Sequence, residues 1–240
     1  MDWWLILLLP TFLAVWFLLP YAWRRWQERR LAALCYAHRL LVLTYDDGPG
    51  TTLTARLLEL LKAHDVRASF FLLGRHVEAN PLIARAVVAS GHEVGHHTRD
   101  HTHAWRSNPL RAARDLAAGV RIAGEIGGAS WLFRPPYGKM TLGTMFHAML
   151  SGLRFGWWTV DSQDSWRPRP IEDILSEINV KRGGVVLMHD FDNYPCWVGG
   201  AGHEDYVIDL TRRTLELAAR EGLRVVPLSG VGYCARPRRL

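Results

Sequence analysis

Leu40–Gly50 reads LLVLTYDDGPG, an apolar run that stops abruptly at two carboxylates. The run Leu40–Tyr45 suits a short buried strand, and Asp46 and Asp47 stand at its carboxyl end. Adjacent carboxylates after such a strand must end outside the core or be paired. A strand-to-helix turn explains one of them, because Asp, Gly and Pro all favour turns, but two less well. In parallel α/β sheets and barrels, the carboxyl ends of strands are where sites are built.

Outward from that stretch, short apolar runs alternate with helical patterns, the signature of α/β units with a mainly parallel sheet. Strands are expected at Leu40–Tyr45, Ala68–Leu73, His92–His97, Leu132–Pro135, Phe155–Asp161, Gly184–His189 and Arg224–Leu228. Helices are expected at Leu53–His64, Pro81–Ala89, Pro109–Ile126, Leu142–Leu150, Ile171–Ile178 and Tyr206–Glu221. Seven strands with intervening helices predict a distorted (β/α) barrel rather than an open sheet. Phe191–Asp205 reads as an irregular insertion. The 240 residues, 49% apolar and 22% charged, suit one ordinary domain with an appendage and exclude wholesale disorder, collagen and coiled coil. Cys35, Cys196 and Cys234 are too few and too scattered for a disulfide framework.

Further polar groups cluster at the other strand ends. Five of the eleven histidines (His92, His96, His97, His101, His103) fall within twelve residues, along the third strand and just beyond it. On one helical turn, His97 and His101 would share a face with Cβ atoms about 6 Å apart, a spacing for two ligands of one divalent ion. A lone H-x-x-x-H is common by chance; Asp47 at another strand end makes a one-Asp, two-His site the better reading. The fourth strand ends in Phe133-Arg134-Pro135-Pro136-Tyr137-Gly138, where Arg134 is either a surface charge or the holder of a carboxylate through paired donors. After the fifth come Asp161 and Asp164, bracketed by Trp158 and Trp166, and the sixth ends at His189.

Together these segments resemble the NodB-homology polysaccharide deacetylases, carbohydrate esterase family four. Thr44–Pro49 is similar to the family's Thr-Phe-Asp-Asp-Gly-Pro, with Tyr45 for Phe. His97–His101 matches His-Ser/Thr-x-x-His, Arg134–Gly138 matches Arg-x-x-Tyr-Gly, and Leu187–His189 matches Leu-x-His. Asp161 and Asp164 match Asp-x-x-Asp-Trp, with Ser165 inserted before Trp166, and His96 stands where the family usually has Asn. The resemblance implies a barrel of seven or eight parallel strands with a divalent metal at its carboxyl end, bound by Asp47, His97 and His101. It implies Asp46 as general base held by Arg134, and Tyr137 as oxyanion donor. His189 would be the general acid, kept protonated by Asp164. Leu187 would line the acyl pocket and Trp166 form an aromatic wall. The implied reaction removes an N-acetyl group from an amino sugar in a glycan or lipid-linked glycan. Zinc is the expected ion, and the same ligands accept cobalt, manganese or nickel. A catalytically inactive glycan-binding module of the same fold is the alternative.

The N-terminus sets a separate expectation. Trp3–Trp23 has 21 residues without a charge, and a helix at about 1.5 Å per residue just crosses a hydrocarbon core of about 30 Å. Asp2 before it, and no small-x-small site, argue against a cleaved signal. Residues 1–23 are therefore expected to be a transmembrane anchor, making this a single-pass inner (plasma) membrane protein. Arg24, Arg25, Arg29 and Arg30 place the catalytic domain on the cytoplasmic side. Residues 24–39 are expected as a basic juxtamembrane helix, 40–230 as the catalytic domain and 231–240 as a basic tail. So short a tether favours a membrane-held, lipid-linked substrate. The net charge of +6 invites a nucleic-acid reading, but no basic stripe appears in the folded region and no nucleic acid is expected as partner.

Overall fold

Eight short strands form one parallel sheet in this computed structural model, which describes residues 3–192 and 202–232. The strands are β1 (Leu40–Asp46), β2 (Ser69–Leu72), β3 (Glu93–His96), β4 (Leu132–Phe133), β5 (Arg154–Phe155), β6 (Val160–Asp161), β7 (Gly184–His189) and β8 (Arg224–Val225). They run in the order β5-β4-β3-β2-β1-β7-β6, with β8 beside the start of β1. The helices are α1 (Trp3–His38), α2 (Leu53–Ala63), α3 (Gly74–Ala79), α4 (Pro81–Ala89), α5 (Pro109–Glu125), α6 (Leu142–Leu150), α7 (Ile171–Val180) and α8 (His203–Glu221). Most of the expected insertion 191–205, and the tail beyond 232, lie outside the described residues.

Period-two alternation along β1 decides what faces the site. Leu41, Leu43 and Tyr45 join an outer apolar cluster with Leu57 and Leu61 of α2, Ile174 and Ile178 of α7, and Leu210 of α8. Leu40 and Val42 join an inner cluster with Phe71, Phe133, Phe155, Trp157 and Val185. Continuing the inner alternation brings Thr44 and then Asp46 to the carboxyl end of the barrel. The β1–β7 register sets Thr44 opposite Leu187 and Asp46 opposite His189. Two adjacent strands thereby deliver a carboxylate and an imidazole to one rim.

One expected strand is in fact two. Phe155–Asp161 divides into β5 and β6, which lie at opposite ends of the strand order, so the chain itself crosses the seam of an open, distorted barrel. The carbonyls of that crossing need partners, and Arg134, fully buried, supplies them. Its Nε donates to Gly156 O at 2.8 Å and its Nη2 to Trp157 O at 3.4 Å, while the guanidinium lies 4.0 Å over the Phe71 ring. A Cβ at Gly156 would collide with that ring, so the crossing needs glycine there.

The transmembrane expectation is overturned. Among the described residues, no helix is long and apolar enough to cross a membrane, and the single-pass inner-membrane placement falls with it. The physical reason lies in how α1 is used. It runs on through the basic segment as one helix, and from Phe17 onward it packs on the domain. Pro20 is buried, the Phe17 ring packs 5.5 Å from Trp105, and Trp23 packs 5.0 Å from Phe155. Gln27 accepts a hydrogen bond from Trp157 Nε1 at 2.8 Å, and Leu31 and Cys35 are buried in the inner cluster. Phe12, Leu13, Leu18 and Leu19 remain exposed on the rest of the helix. If α1 is part of the core, Leu31→Ala should cost about 2–5 kcal/mol, the usual toll of a buried leucine truncation. A urea midpoint unmoved by that substitution would show α1 to be dispensable for the fold.

Candidate active site

The turn after β1 brings both of its carboxylates close to His97 Nε2, Asp46 Oδ2 at 3.8 Å and Asp47 Oδ1 at 3.6 Å. Asp46 ends the strand, 3% exposed, and its Oδ1 accepts from Arg134 Nη1 at 2.6 Å; the same nitrogen lies 3.0 Å from Thr44 Oγ1. Burial pushes the Asp46 carboxyl up to about 6 against the pull of Arg134. Asp47 adopts φ 69°, a left-handed conformation that Asp tolerates better than most residues. The turn is clamped from β7. Asp190 accepts from Gly48 N at 3.1 Å and Thr54 Oγ1 at 2.7 Å, and its backbone pairs with Asp46 and Gly50. His76 of α3 binds the Asp47 carbonyl through Nδ1 at 2.6 Å.

His97 and His101 do converge with Asp47, but not by way of a helical turn. Residues 97–103 form an irregular loop in which Thr98 and His101 have positive φ, and the two rings meet at 4.9 Å between centroids. Both Nε2 atoms aim at Asp47 Oδ1, from 3.6 Å for His97 and 3.5 Å for His101. The ligand atoms of the three residues lie within 4.8 Å of one another. His97 Nδ1 donates to Arg134 O at 2.7 Å, which fixes the tautomer and leaves the Nε2 lone pair facing inward. Burial holds both imidazoles below the ordinary histidine range, so they are neutral, as ligands must be. One carboxylate and two neutral imidazoles around a common point suit a divalent ion of the zinc type. The residues fit the group.

Across the same rim, His189 Nδ1 donates to Asp164 Oδ1 at 2.8 Å. Burial alone would lower the His189 imidazole, but Asp164 outweighs it and pushes it up to about 10. Asp164 is fully buried and anchored four ways: by the His189 ring, by His189 N at 2.8 Å, by Ser162 Oγ at 2.7 Å and by His203 Nε2 at 3.1 Å. Asp46, Asp47, His97, His101, Tyr137, Trp166, Leu187 and His189 line one cavity of about 670 Å³, with Trp158, Asp161 and Lys139. Arg134 and Asp164 stand behind the wall and act through Asp46 and His189. Tyr137 has φ 57° in the turn after β4, with its ring tilted against those of His101 and His103 at 4.5 and 4.8 Å between centroids. Ser165 does not displace Trp166, which reaches the cavity 61% exposed.

Three participants carried no usable signal in the sequence. His203 and His76 come from helices far along the chain, where no spacing links them to Asp164 or Asp47. Asp190 was visible beside His189, but its inward clamp on Gly48 follows only from the β1–β7 register. His96 is buried against Phe133 and, held down to about 3 by burial, is a neutral core group rather than a ligand.

This fold, with paired carboxylates and a histidine pair at the carboxyl ends of its strands, defines a hydrolase of the carbohydrate-deacetylase class. Residues 34–155 match the family model for polysaccharide deacetylase, and the chain belongs to that family. A peptidoglycan-N-acetylglucosamine deacetylase of Bacillus cereus is 31% identical over 195 residues, covering 80% of this chain and 87% of that protein. A chitooligosaccharide deacetylase of Bradyrhizobium is 31% identical over 204 residues, covering 79% and 89%. Among solved structures, a peptidoglycan N-acetylglucosamine deacetylase in complex with 4-naphthalen-1-yl-N-oxidanyl-benzamide superposes with TM-score 0.73 at 26% identity, covering 85% of this chain and 92% of that one. A Bacillus anthracis pseudoenzyme of the same carbohydrate esterase family superposes with TM-score 0.68 at 25% identity, covering 80% and 65%.

Proposed function

We propose that the protein hydrolyses the N-acetyl group of an amino sugar in a glycan, with a divalent ion held by Asp47, His97 and His101 and zinc as the favoured ion. The observation that carries this is the convergence, in one cavity, of that ligand set with a buried base and a charged acid on neighbouring strands. The names of the relatives above support N-acetylglucosamine glycans as the substrate class. A lipid-linked acceptor depends on a membrane span, and among the described residues no helix is long and apolar enough to supply one.

A bound divalent ion polarises the amide carbonyl and lowers the pKa of water beside it. Asp46 takes the proton from the attacking water, and its raised pKa matches it to work near neutrality. Arg134 holds that carboxylate in one orientation by a charge-assisted bond. The backbone N–H of Tyr137 stabilises the oxyanion of the tetrahedral adduct. As the C–N bond breaks, His189 gives its proton to the amine, which leaves badly otherwise. Asp164 keeps His189 charged for that step. Leu187 borders the pocket for the acyl methyl, and Trp166 walls the sugar. Incubating the metal-loaded protein with N-acetylated chito-oligosaccharides and assaying acetate tests the reading; no release, with bound metal confirmed, would sink it.

The acid's role makes a separate prediction for pH. The protonated form of His189 persists below its raised pKa of about 10 and is lost above it, so kcat should fall along that limb. Asp164→Asn removes the charge that holds the imidazole up, so the alkaline limb should move down toward the ordinary value of about 6.5. An alkaline limb unmoved in kcat against pH would take His189 out of the acid role.

A further inference from the structure

Beside the reaction cavity, and sharing Trp158 and Asp161 with it, lies a second cavity of about 340 Å³ between α1 and the β6–α7 side of the sheet. Its cations come in two facing clusters. On α1, Glu28 is bound by Arg24 at 2.7 Å and by Arg25 at 2.5 Å. On the opposite wall, Glu177 is bound by Arg169 at 2.8 Å and by Lys181 at 2.5 Å. Each carboxylate is thus shared by two cations, and each cluster keeps one positive charge in excess. Arg29, one turn from Arg25 on the same helix face, adds a third, against the single negative charge of Asp161.

Arg24 is held in place, whereas Arg25 and Arg29 are exposed at the mouth of the cavity. The Arg24 guanidinium lies 4.5 Å over the Trp158 ring, and its Nη1 donates to Gly138 O at 2.5 Å, on the rim of the reaction cavity. A Cβ at Gly138 would collide with Arg24, so glycine keeps that approach open. Arg24 therefore stands at a fixed offset from the reacting centre. A neutral glycan gains nothing from the cationic clusters. An oxyanion gains charge-assisted hydrogen bonds, because a guanidinium has five N–H donors and one carboxylate shared between two cations uses only part of them.

We infer that this cavity is a subsite for an oxyanion carried by the glycan, a phosphate or a carboxylate on a sugar adjoining the one that loses its acetyl group. The catalytic half of this rests on the deacetylase reading; the binding half does not. The test compares a neutral N-acetylchito-oligosaccharide, the same oligosaccharide carrying a reducing-end phosphate, and one containing N-acetylmuramic acid. Wild-type protein should show a KM for at least one anionic substrate lower by about tenfold than for the neutral one, and added salt should erode the difference. Arg25→Ala combined with Arg29→Ala should abolish that preference while kcat and the neutral KM stay put. Whichever anion is preferred identifies the source of the charge.

Calorimetry of the same three ligands with Asp46→Asn protein reads the binding half without turnover. If neither reaction assay releases acetate but the anionic ligand still binds more tightly and loses that advantage in the arginine variant, the subsite stands and the deacetylase reading fails. Equal KM for all three substrates in the wild-type protein, with equal affinity for all three in Asp46→Asn, overturns the subsite and leaves the deacetylase reading standing. Because that comparison leaves Arg25 and Arg29 in place, a double variant that fails to fold does not shelter the proposal.

Discussion

Asp46→Asn should lower kcat by at least about a hundredfold while leaving metal content at the wild-type level, the scale on which a lost general base is felt. The substitution keeps the shape of the side chain and removes only the charge that accepts the proton. Asp46 is held by Arg134 at 2.6 Å on one side, whereas the histidine pair converges on Asp47. His97 Nε2 lies 3.8 Å from Asp46 and 3.6 Å from Asp47, so the proposed division into a base and a ligand rests on Arg134 holding the first and His101 facing the second, and nothing in DD as a dipeptide distinguishes them. Elemental analysis beside steady-state rates checks the separation. Loss of metal in Asp46→Asn would reverse the two assignments.

His97→Ala should abolish both metal retention and activity while the fold survives. Only Asp47 and His101 would remain of the three ligands, so affinity should drop by more than the roughly 10–100-fold that loss of an outer-shell partner costs. The ring sits in an irregular loop at the rim and donates one hydrogen bond, to Arg134 O, so the sheet and both apolar clusters keep their own contacts. Circular dichroism should therefore look native while elemental analysis finds little ion. Wild-type metal content in that variant would remove His97 from the ligand set.

The two variants rest on residues that were legible in the sequence for different reasons. Asp46 and Asp47 could be placed because an apolar run cannot end in two charges without a reason, and period two then fixes which face the first one takes. The sheet of parallel α/β units was legible for the same reason. His97 and His101 were found by a spacing argument that assumed a helix; the rings meet because Thr98 and His101 adopt left-handed backbone angles, which no apolar periodicity reports. The fifth strand reads as one because Phe155–Asp161 carries three aromatic residues and a valine with no strong turn signal between them. At the division stands Arg134, 22 and 23 positions before the two carbonyls of the crossing that its guanidinium bonds.

The N-terminal helix shows the same limit from another side. A run of tryptophan and leucine without charge reads as a bilayer span in sequence, yet among the described residues no helix is long and apolar enough to cross one, and charge-free length says nothing about which surface the run will meet. Here Phe17, Trp23, Gln27 and Leu31 meet the domain. Arg24, which served only as a topology signal in the sequence, becomes a bridge from α1 to the rim of the reaction cavity. His203 was invisible because its bond to Asp164 joins positions whose neighbours in sequence share no pattern.

The central claim is that water, activated at the carboxyl end of this barrel, cleaves the amide of an N-acetylated amino sugar. The most direct measurement incubates metal-loaded full-length protein with an N-acetylchito-oligosaccharide in water enriched in oxygen-18 and reads both products by mass spectrometry. The account predicts an oligosaccharide lighter by one acetyl group, bearing a free amine, and released acetate carrying a single oxygen-18 atom, with neither product formed by Asp46→Asn. An intact oligosaccharide, with bound metal confirmed, or acetate released without the label, would contradict it.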